Sequence, residues 1–512
     1  MAAPRIAMLL AAAADRAPDR MALEHVGLRT TYAGAAAAAA RLAAELRERG
    51  VGPGAVVGWI GENTPACWLA YQGVAWAGAV LAPLHLRLTD ADLRRILAHA
   101  GARLVLGEAS SAARARGLGL PVVELSDASF KTASAWRARH PSPVEGGSDD
   151  AAHLYYTSGS TGAPKGVILT HGNVVAHARL AVRALGLTSD DVWLHAAPMF
   201  HLADAWATFA ITDVAGVHRF VPRFDEVAVL DAFAGGVTVT NLVPTMWNAL
   251  VRHGTAPGRD YRSLRLLLSG GAAVSPDLVR RVRTVFGAEY AQTYGLTETS
   301  PYLTISRLDP AERDLPEDER CRRLARAGRP MEGVEVRVSD AAGNAVPADG
   351  ETVGEVCARG PTVTPGYLSD AGATAAAFHD GWFRTGDLAR VHSDGRLELA
   401  DRTGDVVNTG GEKVFSTDVE RALGDLAGAR EVAVVGTPDP HWGQVVTAVV
   451  VPEGPRVTLE AVRAHVRARL ADFKVPRRLV LLDALPRTAS GKVSKREVRA
   501  AAIAALADPP PP

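Results

Sequence analysis

The chain has 512 residues, enough for two or more domains of ordinary size. Hydrophobic residues make up 47% and charged residues 22%, as expected of a globular protein with a substantial core. The 56 Lys+Arg exactly offset by 56 Asp+Glu, with only 6% aromatics, argue against a basic nucleic-acid groove or a stacking platform for single strands.

The first twenty residues read as an amphipathic helix rather than a signal peptide, because Arg16 and Asp19 follow the short apolar stretch Ile6 to Ala14. A helix is expected over about 30–50, capped by Thr30 or Thr31 and closed by Gly50. Ala55–Gly61 reads as a buried strand, Thr64–Ala77 as a helix, and Ala79–Leu84 and Ala102–Leu106 as further strands. The rhythm continues through Val192–Ala196, Val237–Leu242 and Leu264–Ser269, which points to an α/β fold with parallel strands. The charge-dense stretch Arg307–Arg326 reads as an exposed loop with a helical turn. Val334–Val338, Gly354–Ala358 and Arg396–Leu399 are short strands between glycine-rich turns, a small β-rich subdomain. After Asp401 comes a compact βαβ-like tail: Glu431–Gly436, Gln444–Pro452, a helix at Leu459–Leu470, then Arg478–Leu482. No run of about 18 apolar residues occurs, so no membrane span is expected. Cys67, Cys321 and Cys357 are far apart and in no CxxC spacing; a reduced, cytoplasmic chain is expected, with neither disulfides nor a cysteine zinc site.

The strongest local signal is YYTSGSTGAPKG, residues 155–166. Its glycines let backbone N–H groups turn toward an anion, its hydroxyls add donors, and Lys165 adds a compact positive charge for phosphate. The spacing is not that of a Walker A loop. Further along stand PMFHLAD (198–204), SGGAA (269–273), QTYGLTET (292–299), TGDL (385–388), ADRTGD (400–405) and PRTASGKVSK (486–495). Alone, each of these has an ordinary structural explanation: a core histidine, a polar loop, a turn aspartate, a basic surface turn.

Taken in order, the set resembles the adenylate-forming superfamily, in its acyl-CoA synthetase or fatty-acid–CoA ligase branch, over about residues 5–500. The resemblance implies an α/β fold with a large N-terminal domain of mixed α/β sheets and a small β-rich subdomain (1–400), a hinge (401–405), and a small mobile α+β C-terminal domain (406–512) that carries the catalytic lysine. It implies that Thr157, Ser158, Gly159, Ser160, Thr161, Gly162 and Lys165 bind the phosphates of ATP. Gly270, Gly271 and Ala272 would lie against adenine, with Gln292, Thr293, Tyr294 and Gly295 completing the nucleotide site and Tyr294 stacking on the base. Thr297 would donate to the α-phosphate, and Glu298, with Thr161, would hold Mg²⁺. Asp387 would accept both ribose hydroxyls, Arg402 would approach ribose and phosphate, and Lys492 would bridge the substrate carboxylate and α-phosphate. His201 would stand where the acyl pocket meets the thiol tunnel, and Gly410, Gly411 and Glu412 would line the pantetheine path after the small domain turns. Gly404 occupies the pivot position, where the family usually has Asp or Lys.

The implied reaction is formation of an acyl adenylate and pyrophosphate from ATP and a carboxylic acid, followed by thioester formation with coenzyme A. Loading of a carrier protein, or activation of nitrite to diazotise an aryl amine, are the alternatives. Pocket residues are expected at His201–Trp206, Asn241–Thr245, Gly270–Ala273 and Tyr302. Asp204 could pair with an amino or hydroxyl group of the substrate or face solvent at the pocket edge. The default acid is a medium or long fatty acid, an aryl acid next. Expected partners are the small-molecule acid and coenzyme A, with no nucleic acid, and a homodimer is allowed.

Overall fold

The computed structural model describes residues 4–130, 142–158, 164–454, 457–488 and 493–507. The chain begins with the helix Ile6–Arg16, whose Ile6, Leu9, Leu10 and Ala13 are buried, as the amphipathic reading predicts. The alanine-rich helix Tyr32–Glu48 follows, with the Thr31 hydroxyl accepting the Gly34 N–H as its cap. The helix Pro65–Trp76 is buried along its whole length, so its sequence carries no polar face.

Two large sheets sandwich these helices. In the first, nine strands run in the spatial order Arg329–Pro330, Tyr302–Ser306, Glu289–Gly295, Leu266–Gly270, Val239–Leu242, Val192–His195, Val217–Phe220, Met21–His25 and Leu28–Thr31. Its central strands pair in parallel. The second has seven strands, ordered Gly366–Tyr367, Pro164–Thr170, Ala151–Ser158, Val80–Pro83, Val56–Ile60, Ala102–Glu108 and Val122–Leu125. One continuous core cluster takes side chains from both sheets and from Ile6–Arg16, Tyr32–Glu48, Pro65–Trp76, His171–Leu185 and Leu202–Asp213, so these helices are the shared layer.

A five-stranded antiparallel sheet follows, built from Glu335–Ser339, Val353–Arg359, Phe378–His379, Trp382–Val391 and Leu397–Arg402. The last sheet contains Val407–Thr409, Glu412–Val414, Ala429–Asp439, Gly443–Pro452 and Arg478–Leu481. Among the described residues its one parallel pair, Gly443–Pro452 with Arg478–Leu481, is joined through the helix Leu459–Arg467, the βαβ unit read in the tail.

The stretch 307–326 departs from its expectation. It holds the helix Glu317–Ala325, with Cys321 and Leu324 buried. Its charges are there to be paired: the fully buried Arg396 donates to Glu312 at 2.7 and 2.5 Å, to Asp394 at 2.7 Å and to the Arg307 carbonyl at 2.9 Å. All three cysteines are buried free thiols. Among the described residues no helix is long and apolar enough to cross a membrane.

Candidate active site

The parallel strands Leu266–Gly270 and Glu289–Gly295 are neighbours in register, Ser269 opposite Gln292 and Gly270 opposite Thr293. Their carboxyl ends are where such sheets form ligand crevices. The Thr293 hydroxyl donates to the Ser269 carbonyl at 3.1 Å, and the Gln292 amide donates to the Ala272 carbonyl at 2.8 Å. Both glycines here are required by space. A Cβ on Gly270 would overlap the Thr293 hydroxyl, and one on Gly295 would overlap the Pro301 carbonyl oxygen. Gly271 and Ala272 continue as an exposed turn.

Tyr294 is buried and donates its hydroxyl to Asp387 Oδ2 at 3.0 Å. Asp387 lies directly across two antiparallel strands from Arg402, whose Nε donates to its other oxygen at 2.7 Å. Burial raises the pKa of the Tyr294 phenol, and the Asp387 carboxylate raises it further. Asp387 raises that of Arg402 in turn.

Thr297, Glu298 and Thr299 form a short 3₁₀ turn just past Gly295. Tyr367 joins this turn to the seven-stranded sheet. Its hydroxyl donates to Glu298 Oε1 at 3.0 Å, and the Lys165 ammonium stands 5.0 Å from the centre of its ring. Lys165 is held opposite Thr157 in the strand pair Ala151–Ser158 and Pro164–Thr170. A capping box between Thr170 and Asn173 ends that strand and starts the helix His171–Leu185. The Asn173 amide also ties Pro361 and Val363, which precede Tyr367, at 2.8 and 3.0 Å. Burial raises the Glu298 pKa, while Tyr367 and the charge of Arg402 oppose this. A half-buried carboxylate facing a neutral hydroxyl gains from a cation, so Glu298 suits the oxygen-ligand chemistry of Mg²⁺. Tyr367 was not singled out from sequence. In TPGYLSD it is one aromatic in a turn, and its partners lie 69 residues upstream and further.

Other expected residues fall elsewhere. His201 is the N-cap residue of the helix Leu202–Asp213, with its ring 5.0 Å from His85 and 4.7 Å from Phe200. Gly410, Gly411 and Glu412 form the exposed tip of the hairpin between Val407–Thr409 and Glu412–Val414, where the Gly410 N–H donates to the Trp442 carbonyl at 3.0 Å. Among the described residues no hydrogen bond or ion pair joins this tip to the Tyr294–Asp387–Arg402 chain. Gly159, Ser160, Thr161, Gly162 and Lys492 lie outside the described residues, as does the side chain of Ser158. The flanks of Lys492 are described: Arg487 bridges Val493, and the helix Lys495–Ala507 follows.

Asp204 corrects both of its expected settings. It is fully buried, and the protein itself engages both of its carboxylate oxygens. The Trp193 indole donates to it at 3.2 Å and His195 Nδ1 lies 2.6 Å away. The chain continues from His195 to His218 at 3.0 Å and to the Thr212 hydroxyl at 3.2 Å. This network fixes the helix Leu202–Asp213 against the sheet.

Comparison with known proteins agrees with this geometry. The family model described as AMP-binding enzyme matches residues 10–368, and that described as AMP-binding enzyme C-terminal domain matches 418–492. A feruloyl-CoA synthase of Amycolatopsis sp is 38% identical over 496 residues, 95% of this chain and 96% of the relative. A long-chain-fatty-acid–CoA ligase of Thermus thermophilus is 35% identical over 495 residues, 92% of this chain and 90% of the relative. ATP-bound MatB from Rhodopseudomonas palustris is similar at a TM-score of 0.86 and 30% identity, covering 97% of this chain and 99% of that one. With one family model spanning most of the chain and relatives aligned nearly end to end, the chain belongs to the AMP-binding enzymes, the adenylate-forming superfamily, in its acyl-CoA synthetase branch.

Proposed function

We propose that this chain is an AMP-forming carboxylate–coenzyme A ligase, an acid–thiol ligase. An acid oxygen attacks the α-phosphorus of ATP and pyrophosphate leaves. The thiol of coenzyme A then attacks the acyl adenylate, giving the thioester and AMP. The observation that carries this reading is the convergence of three sheets on one cluster. Lys165 comes from the seven-stranded sheet, Tyr294 and Glu298 from the nine-stranded sheet and the turn after it, and Asp387 with Arg402 from the antiparallel sheet. A cation, a cation-seeking carboxylate and a hydroxyl-accepting carboxylate are the groups a magnesium nucleotide needs.

In this reading Asp387 receives the ribose hydroxyls, Lys165 neutralises phosphate with the loop 157–162, and Glu298, with Thr161, holds Mg²⁺, which offsets phosphate charge. Tyr294 and the 270–272 turn receive the base with Gln292, Thr293 and Gly295, and Thr297 donates to the α-phosphate. No protein nucleophile is required; positioning and charge stabilisation lower the barrier. Lys492 supplies a further positive charge in the first step. His201 stands at the acyl junction, and the tip at Gly410–Glu412 lines the thiol path in the second step. The segment 401–405 is the pivot between units spanning 1–400 and 406–512, and the backbone freedom of a glycine at 404 suits that role. The diazotising alternative drew on Asp204 as an amine partner, and that carboxylate is already committed to Trp193 and His195.

The test separates the half-reactions. Lys492→Ala is expected to slow acid-dependent pyrophosphate release by about 10²–10³-fold. Thioester formation from a supplied acyl adenylate should change by less than about threefold, because a group needed only in the first transition state affects only that step. Equal losses in both halves would show that Lys492 does not act in the first step alone, and no ATP-to-AMP conversion with any acid would remove the ligase reading.

A further inference from the structure

The helix Leu202–Asp213, which His201 caps, carries Trp206, a buried indole set among polar side chains. Trp206 is 1% exposed. Its ring packs on Trp193 at 5.1 Å, on His177 at 5.5 Å and on Tyr302 at 5.0 Å, and its indole N–H donates to the Ala203 carbonyl at 3.1 Å. The side chain cannot retreat, because Trp193 behind it is bonded to Asp204 in the buried His195–His218 chain. His177 is fixed as well: its Nε2 accepts the Tyr302 backbone N–H at 3.2 Å.

Two polar atoms near this indole stand out. The Asn241 amide N–H donates to the same Ala203 carbonyl at 2.6 Å, which fixes the orientation of the amide. Its Oδ1 is buried with no hydrogen-bond partner among the described residues. The Tyr302 hydroxyl, near the side chains of Thr293 and Trp206, is likewise buried with no hydrogen-bond partner among the described residues. Asn241 is 2% exposed and Tyr302 4%. Buried polar groups are seldom left unmet, so an acceptor and a hydroxyl flanking one indole indicate a ligand group. A hydroxyl suits both, giving its proton to Asn241 Oδ1 and accepting one from Tyr302.

We infer that the acid activated is compact and carries a hydroxyl at the end remote from its carboxylate, read by Asn241 and Tyr302, with Trp206 as the stop that excludes long unbranched fatty acids. This rests on the ligase reading, which puts the acyl group beside His201.

The experiment measures pyrophosphate release with 4-hydroxycinnamate, cinnamate, dodecanoate and hexadecanoate. The wild type is expected to favour 4-hydroxycinnamate over cinnamate by at least about 10-fold in kcat/KM, because the deoxy acid leaves buried polar groups unpaired. Both fatty acids should be poorer still. Tyr302→Phe, which removes one oxygen, should reduce the hydroxy-to-deoxy ratio by about 10-fold, and a general structural defect would lower both acids alike. Trp206→Ala should raise dodecanoate relative to cinnamate. A wild type that prefers hexadecanoate, or an unchanged ratio in Tyr302→Phe, overturns this inference and leaves the ligase reading standing. No release with any acid overturns the ligase reading, and this inference falls with it.

Discussion

Asp387 has one oxygen on Tyr294 and the other on Arg402. A carboxylate serves both donors; an amide has one oxygen and presents N–H groups on its other side. Asp387→Asn must therefore lose one partner and turn a donor toward a second one. The expected result is a 10–100-fold rise in the KM for ATP at saturating acid, with a smaller change in kcat, measured by pyrophosphate release. An unchanged KM would take Asp387 out of the nucleotide site. Tyr294 and Asp387 were singled out because each sits in a short motif, QTYGLTET or TGDL, that resembles a family signature. Their contact was not, since 93 residues separate them. Asp204 was misread for a related reason. Placed beside His201 in HLAD it suggested a pocket role, and its true partners, Trp193 and His195, lie on the preceding strand. Strand period and helix entry do not indicate which buried side chains will meet across the turn between them.

The misreading of 307–326 belongs to the scale of the element. Charge density alone suggests solvent, and six of the nine residues of the helix Glu317–Ala325 are charged. The decisive partner is Arg396, 84 residues beyond Glu312, which is buried where the antiparallel sheet meets this segment. Arg323 also bonds Glu312, and the Arg396 guanidinium is satisfied by two carboxylates and a carbonyl. Burial opposes the charge of Glu312, but its arginine partners win, bringing its pKa to about 2. Arg396→Ala would empty a fully buried guanidinium site and leave the buried Glu312 with Arg323 as its remaining arginine, and a loss of about 3 kcal/mol is expected in denaturant unfolding. A loss below about 1 kcal/mol would mean that water replaces the guanidinium and that the segment is held by Cys321 and Leu324 alone. The regular elements were legible here because alternation of apolar strands and helices reports burial directly, whereas ion pairing between distant segments leaves no periodic trace.

At the scale of the molecule, the layer between the two large sheets is unusually rich in histidine. His153, His171, His177 and His218 are all buried, at 1% exposure or less. Desolvation is the largest cause of the shift at each, bringing the first three to about 3 and leaving His218 well below its usual value. The His153 ring stacks on Phe209, and neither of its nitrogens has a hydrogen-bond partner among the described residues. The unfolded chain takes up these protons near pH 6.5, so between about pH 3 and 6.5 it binds more protons than the folded chain. Stability is therefore complete above pH 6.5 and falls as the pH is lowered through that value. At pH 5 each such histidine removes about 2 kcal/mol, a figure set by the unfolded pKa and insensitive to how far below 5 the folded one lies. Several together remove an amount comparable with the whole stability of an ordinary domain. Carboxylates held low by their partners, Glu312 chiefly by Arg396 and Glu398 by His392 and then Arg421, each at about 2, lose their contribution only below about pH 4.5, so the two effects occupy separate windows. Urea midpoints at pH 7.5, 6.5, 5.5 and 5.0 are expected to fall slightly between the first two and then steeply. His153→Phe, which keeps the aromatic stack and removes one titrating group, should make that fall shallower by about one proton. A midpoint independent of pH between 6.5 and 5 would mean that the histidines of this layer are protonated in the folded state and that the packing between the sheets admits charge.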